Sequence, residues 1–215
     1  MADAVAALRQ AIVSGEMAPG QRLVEPELAE LFGVSRGAMR AALIDLTGEG
    51  LVERVHNRGA RVRVVSLAEA VAIVECRQML EALCAAKAAR NVSDAAAAEL
   101  TELGERMRAA VGAGDPVKYS ALNAQLHQRV RELAEQPVAT DLLERLNAQM
   151  VRHQFRLALR PGRPQRSLPE HLAIIDAIVA RDEQAAEAAA RAHLASVIDA
   201  LRESDQPATQ SAPRG

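Results

Sequence analysis

Residues 27–43 constrain the fold of this chain more than any other part of the sequence. They predict two short helices joined by a tight turn, with Gly33 ending the first helix and Ser35 capping the second. This helix-turn-helix pattern places Arg36 and Arg40 near the start of the second helix, where a recognition helix meets base edges in the major groove. The first helix carries three residues that form one apolar face: Leu28, Leu31 and Phe32.

The next residues predict a β-hairpin, which would form the wing of a winged helix. Segments 51–55 and 60–64 have the composition of two strands, separated by the turn 56–59. The turn ends in Arg58 and Gly59, and a basic tip beside a flexible glycine suits DNA phosphates or the minor groove. Helix-turn-helix shapes also occur as plain packing motifs, but the added wing favours a DNA-binding domain.

Composition limits the class of protein further. The formal net charge is −2, so the chain is not a general polyanion binder, and its basic groups are placed locally, as in specific DNA readers. About half of the residues (49%) are hydrophobic but only 1% are aromatic, which favours helices packed through small side chains. The length of 215 residues leaves room for a second domain after the winged helix.

Residues 8–64 resemble the winged helix of GntR-type transcription regulators. The resemblance rests on these pieces: Leu8 to Ile12, Pro19-Gly20, Val34-Ser35-Arg36, Arg40, Gly50-Leu51-Val52 and Asn57-Arg58-Gly59. In that family two arginines of the recognition helix and the tip of the wing contact DNA. The resemblance therefore implies four DNA-binding residues: Arg36, Arg40, Arg58 and Gly59.

Strand signals end after the wing, and helical signals take over. The pattern predicts a mainly α chain, with a winged helix-turn-helix domain at 1–65 and an antiparallel bundle of six helices at 66–203. The fifth of these helices is predicted to begin at a capping box that runs from Ser167 to Glu170. The polar tail 204–215 is expected to be disordered.

Three histidines of the bundle fall into one pattern. Asn123 and His127 are four residues apart, so they share a helical face. The turn between the last two helices lies near Asp182, with His171 eleven residues before it (182 − 171 = 11) and His193 eleven after it (193 − 182 = 11). Residues at equal distances from the turn of an antiparallel pair lie at the same level. The two imidazoles are therefore predicted to meet.

Three imidazoles and an amide oxygen inside a bundle suit a divalent transition metal, although hydrogen-bonded core histidines are the alternative on spacing alone. Residues 67–202 resemble the FCD ligand-binding domain of the FadR branch of GntR regulators, and six helices resemble its VanR-like subgroup. In metal-binding members the matching positions coordinate a divalent metal, and we expect zinc, with nickel or manganese as alternatives. The resemblance implies four ligands: Asn123, His127, His171 and His193.

Arg77 lies on the apolar face of the first bundle helix, where a guanidinium needs an anionic partner. Glu81, one turn further on, is one candidate for that partner. The other is the carboxylate of a ligand held bidentately, which is also what the family resemblance implies. We assign His153 to the same ligand cavity, with a hydrogen-bonded core histidine as the alternative.

Together these features predict a dimeric transcription regulator, a repressor that binds double-stranded operator DNA and responds to a small organic acid at the metal site. The alternatives are a metal sensor, in which occupancy is the signal, and a metal-dependent hydrolase. No carboxylate is clearly placed as a general base, so we predict no enzymatic activity. No segment is long and apolar enough to span a bilayer and the start has no basic segment, so we expect a cytoplasmic protein without a membrane partner.

Overall fold

The computed structural model describes residues 4–55, 59–158 and 160–205. The chain divides into two compact units. Of the described residues, the first contains 4–55, 59–66 and 145–152, and the second contains 67–144, 153–158 and 160–205. The described residues are mainly helical, as the sequence predicts.

The first unit holds a helix-turn-helix and a small antiparallel sheet. Its elements are α1 (Ala4–Val13), β1 (Arg22–Leu23), α2 (Glu25–Leu31), α3 (Arg36–Gly48), β2 (Val52–Val55) and β3 (Gly59–Val62). Strands β2 and β3 form the predicted hairpin, with Val52 opposite Val62 and Val55 opposite Gly59. Strand β1 adds a third strand on the other side of β3, which the sequence did not predict because two residues are too few to show alternation.

The turn between α2 and α3 forms as predicted. Gly33 has a φ of +64°, a left-handed conformation that favours glycine. The Ser35 hydroxyl accepts a hydrogen bond from the backbone N–H of Ala38 at 3.1 Å, which caps α3. Leu31 belongs to the predicted apolar face of α2, but its side chain is 68% exposed. Helix α2 buries Leu28 and Ala29, and Leu31 lies about 110° around the helix from the midpoint of these two residues, at the edge of the buried face.

In its described residues the second unit consists of helices, and α7 is shared between the two units. The helices are α4 (Leu67–Asn91), α5 (Asp94–Gly112), α6 (Pro116–Ala134), α7 (Pro137–Ala158), α8 (Arg163–Val179) and α9 (Glu183–Asp205). Helix α4 packs against α6, α8 and α9, and α8 also packs against α5 and α9. None of the described helices could cross a membrane, because none is both long enough and apolar enough.

Helix α8 begins earlier than the sequence suggested. It starts at Arg163 with a proline in its first turn, so the predicted capping box lies inside the helix. The Ser167 hydroxyl is not a cap but donates back to the carbonyl oxygen of Arg163 at 3.0 Å. The early start therefore turns this hydroxyl into the interior of the bundle, where Ser167 is 4% exposed.

Candidate DNA-binding surface and metal centre

The exposed side of the helix-turn-helix carries the predicted recognition residues. Arg36 and Arg40 are exposed on α3. Arg40 lines a cleft of about 470 Å³ that is bounded by α2, α3 and the sheet. The guanidinium of Arg40 donates from Nε to Glu25 Oε2 at 2.8 Å and from Nη2 to Glu25 Oε1 at 2.9 Å.

The wing places Gly59 beside the recognition helix. Gly59 opens β3 with a φ of +85°, and it lines the same cleft as Arg40. Arg58, the fourth predicted DNA-binding residue, lies outside the described residues. The cleft is lined by three arginines and one carboxylate: Arg22, Arg40, Arg54 and Glu25. The sequence did not predict the role of Glu25, because no spacing rule within one helix reveals a partner on the next.

In the second unit, the structure brings three histidines together. They come from three helices: His127 from α6, His171 from α8 and His193 from α9. One ring nitrogen from each lies within 4.8 Å of those of the other two. His171 is 2% exposed and His193 is 5% exposed, so these two rings are shielded from solvent.

Two of the histidines are held by carboxylates. Nδ1 of His127 lies 3.0 Å from Oε2 of Glu81, and Nδ1 of His193 lies 2.9 Å from Oε2 of Glu170. A carboxylate can only accept a hydrogen bond, so Nδ1 carries the proton in both rings. In the neutral imidazole this leaves Nε2 as an acceptor with a free lone pair.

The third histidine is held by a chain of hydroxyl groups. The Tyr119 hydroxyl lies 2.8 Å from Nδ1 of His171 and 2.9 Å from Oγ of Ser167. Because the Ser167 proton goes to the carbonyl oxygen of Arg163, Oγ must accept the Tyr119 proton. The Tyr119 oxygen must then accept from Nδ1–H of His171. Nε2 of His171 is therefore also a free acceptor.

Two acceptors of this part of the bundle have no donor to satisfy them. Within the described part of the chain, Nε2 of His171 and Oδ1 of Asn123 are buried and have no hydrogen-bond partner. Asn123 lies one turn before His127 on α6. Unsatisfied buried acceptors are rare in proteins, and a cation satisfies several of them at once. The residues present therefore fit a divalent metal.

The electrostatics favour the ligating form of His171 and His193. Burial lowers the pKa of His171 well below its usual range, and the nearby His193 and His127 lower it further. Burial also lowers the pKa of His193, partly opposed by the hydrogen bond to Glu170. Burial raises the pKa of Tyr119 to about 12. The two histidines are thus neutral, and neutral imidazole is the form that binds metal.

Arg77 reaches this centre through Glu81. Its guanidinium donates from Nε and Nη2 to Glu81 Oε1 at 3.0 and 2.7 Å, and both residues are 8% exposed. Although burial alone would raise the pKa of Glu81, the charge of Arg77 and the bond from His127 hold it well below its usual range. Of its two candidate partners, Arg77 therefore pairs with Glu81, on its own helix. His153 is half-buried on α7 and does not belong to the converging group of histidines found among the described residues.

Sequence reasoning missed the residues that hold the imidazoles. Glu170 could have been found, since it lies twelve residues before Asp182 and His193 lies eleven after it, close to the same level. Glu81 was recognised only as a partner for Arg77. The sequence did not predict that Ser167 supports Tyr119, because the residues around Ser167 resemble the start of a helix.

Comparison with known proteins identifies the family. Residues 1–62 match the bacterial regulatory proteins of the gntR family, and residues 72–196 match the FCD domain. The chain belongs to the GntR family of DNA-binding transcription regulators, in the branch with an FCD domain. Because the family and the relatives are transcription regulators and not enzymes, the hydrolase alternative is set aside.

Relatives of this GntR regulator share most of its length. It is 30% identical over 196 residues to the HTH-type transcriptional repressor RspR of Escherichia coli, covering 91% of this chain and 86% of that one. It is also 30% identical to a probable D-xylose utilization operon transcriptional repressor of Paenarthrobacter nicotinovorans, covering 90% and 85%. Among solved structures, E. coli McbR/YncC matches with a TM-score of 0.76 at 22% identity, covering 94% and 97%, which supports the fold.

Proposed function

We propose that this regulator is a repressor whose binding to operator DNA is controlled by a small carboxylate at a divalent metal in the helical bundle. The proposal rests mainly on one observation. The Nδ1 atoms of three buried or half-buried imidazoles are engaged by Glu81, Tyr119 and Glu170, which leaves Nε2 of each ring as an acceptor, and Nε2 of His171 is buried without a hydrogen-bond partner. A divalent cation satisfies such a set of neighbouring acceptors at once.

The metal would be held by Nε2 of His127, His171 and His193, with Oδ1 of Asn123 as a fourth ligand. Zinc suits these nitrogen and oxygen donors, and nickel and manganese are alternatives. When bound, the metal supplies a positive charge with coordination positions to which an organic acid can bind. Glu81 and Glu170 fix the orientation of two imidazoles and place negative charge behind them.

The effector is proposed to be a mono- or dicarboxylate. The positive charge of the metal would attract the carboxylate, whereas Arg77 is paired with Glu81 and would act on the centre only through that side chain. The near absence of aromatic residues, at 1% of the chain, argues against a stacked planar ligand. An effector alters DNA binding through unequal affinity for two conformations of the protein.

On the DNA side, Arg36, Arg40 and Gly59 would face the operator, and a homodimer would present two winged helices to successive major grooves. Two relatives are named as repressors, which supports repression rather than activation here. The protein would act in the cytoplasm, where its DNA lies. Light scattering should find a dimer at micromolar concentration, and a monomer both with and without operator would contradict this part.

The metal content of the purified protein tests the site. After reconstitution with zinc, nickel or manganese and removal of excess metal, elemental analysis should find about one ion per chain. His171→Ala should lose it. Gln125→Ala, an exposed substitution on the same helix as His127, is the matched control and should keep it. A parent protein without metal after all three reconstitutions would reject the site.

A metal sensor is the second candidate, and the burial of His171 and His193 favours it because a closed site leaves little room for an organic ligand. Operator titrations distinguish the metal sensor from the carboxylate-controlled repressor. They are run with and without zinc in the absence of organic acid, and then with zinc and an acid together. If metal alone changes operator affinity and no acid adds to the change, metal is the signal.

A further inference from the structure

Glu25 and Arg40 form a bidentate ion pair across the helix-turn-helix. Glu25 lies in the first turn of α2, and Arg40 lies in the second turn of α3. The two contacts, Nε to Oε2 at 2.8 Å and Nη2 to Oε1 at 2.9 Å, place the carboxylate along one edge of the planar guanidinium. The Glu25 side chain is 22% exposed and that of Arg40 is 64% exposed, so the arginine reaches further toward solvent.

A guanidinium presents two edges that can bind a pair of acceptors. One edge is formed by Nε and Nη2, and the other by Nη1 and Nη2. Glu25 occupies the first edge and leaves the terminal edge of Arg40 free. Guanine presents two acceptors, N7 and O6, in the major groove, and an arginine binds them bidentately. Adenine presents a donor at the position of O6, so the same edge rejects it.

The negative charge of Glu25 does not increase the affinity for the DNA backbone. It lines a cleft with Arg22, Arg40 and Arg54, and a carboxylate there repels phosphates that the arginines attract. The hydrogen bond from Arg40, together with the charges of Arg40, Arg36 and Arg54, lowers the pKa of Glu25, so it is ionised.

Folding stability does not explain the pair either. Ion pairs with one highly exposed partner contribute little to stability, because water screens them and ordering two long side chains costs entropy. A long side chain that is already ordered loses less entropy on binding. The pair therefore benefits recognition more than folding.

We propose that Glu25 is a specificity-determining residue that positions Arg40 so that its terminal edge reads one guanine. Glu25 would not itself contact a base. It restrains the guanidinium and prevents Arg40 from bending toward a phosphate. The proposal rests on the DNA-binding function of the family and is independent of any metal or effector in the bundle.

The experiment measures discrimination at single base pairs. A binding site is first selected from random duplexes with the parent protein. Dissociation constants are then measured for that site, for copies in which each G·C pair is replaced by A·T, and for a random duplex. The proteins are the parent, Glu25→Ala, Glu25→Gln, Arg40→Ala, the double variant Glu25→Ala/Arg40→Ala, and Glu30→Ala.

Glu25→Ala should lose about tenfold in discrimination at one G·C pair, the same pair that Arg40→Ala affects. It should bind the random duplex more tightly, because a repulsive charge is gone. In the Arg40→Ala background, Glu25→Ala should cause no further loss of discrimination. Glu25→Gln keeps the side-chain shape and one neutral hydrogen bond, so it should fall between the parent and Glu25→Ala.

Glu30→Ala is the matched control, since it removes an exposed carboxylate from the same helix. It should leave discrimination at every base pair unchanged. Equal discrimination by Glu25→Ala and the parent at all positions would overturn the proposal. The proposal would also be overturned if Glu25→Ala lowered discrimination equally in the parent and in the Arg40→Ala background. If Glu25→Ala does not fold, judged by its melting curve, Glu25→Gln decides in the same way.

Discussion

His171 and His193 lie with their ring centroids 4.3 Å apart, on the two helices that meet at Asp182. The ring of His127 lies 5.4 Å from each of them. Helices α8 and α9 run back along each other from a three-residue turn, which brings side chains at equal chain distance to one level. Helix α6 adds the third ring. A metal that binds this group joins three helices of the bundle, so it should stabilise the fold.

The first prediction is that metal raises the thermal stability of the parent and not that of His193→Ala. A ligand that binds only the folded state adds about 2.7 kcal/mol at a hundred times its dissociation constant. Melting curves with and without zinc measure the shift. Gln125→Ala should show the parent's shift. A His193→Ala protein stabilised as much as the parent would show that zinc binds elsewhere.

The second prediction concerns the hydroxyl chain behind His171. Tyr119→Phe keeps the ring but removes the oxygen that accepts from Nδ1 of His171 at 2.8 Å. Loss of such a supporting contact typically lowers metal affinity about 10–100-fold. Competition with a coloured chelator measures the affinity. Metal binding that is unchanged in Tyr119→Phe would mean that this chain does not orient the imidazole.

The sequence predicted the features that depend on short-range rules. The caps at Gly33 and Ser35 and the meeting of His171 with His193 follow from local conformation and helix periodicity. Side-chain contacts outside such an antiparallel pair of helices could not be predicted in this way. The pair of Glu25 with Arg40 joins two helices. The path from Tyr119 to Ser167 requires α8 to begin at Arg163, and the sequence offered Ser167 as a competing start.

The third prediction is the pH dependence of the metal-free protein. Burial lowers the pKa values of His171 and His193 below the ordinary 6.5, so the unfolded chain binds more protons than the folded one as the pH falls below that value. Stability should therefore fall from pH 6.5 downward, by at most about 1.4 kcal/mol per pH unit for each group. Glu81 and Glu170, with lowered pKa values, should add to this loss only near and below their ordinary 4.5.

Urea denaturation at about pH 7 and about pH 5.5 measures this slope. The double variant His171→Leu/His193→Leu should show a flatter one, because leucine does not titrate. A parent protein that is equally stable at both pH values would mean that the two imidazoles are not neutral and buried in the folded state.

The most direct measurement is an operator titration, by fluorescence anisotropy, of the metal-loaded protein with a panel of mono- and dicarboxylates. For at least one acid, we predict a loss of operator affinity of about 5- to 150-fold, the usual size of coupling between two sites. His171→Ala, which should not hold the metal, should bind operator but not respond. No response of the parent to any acid, or an equal response in His171→Ala, would contradict a carboxylate signal at the histidine centre.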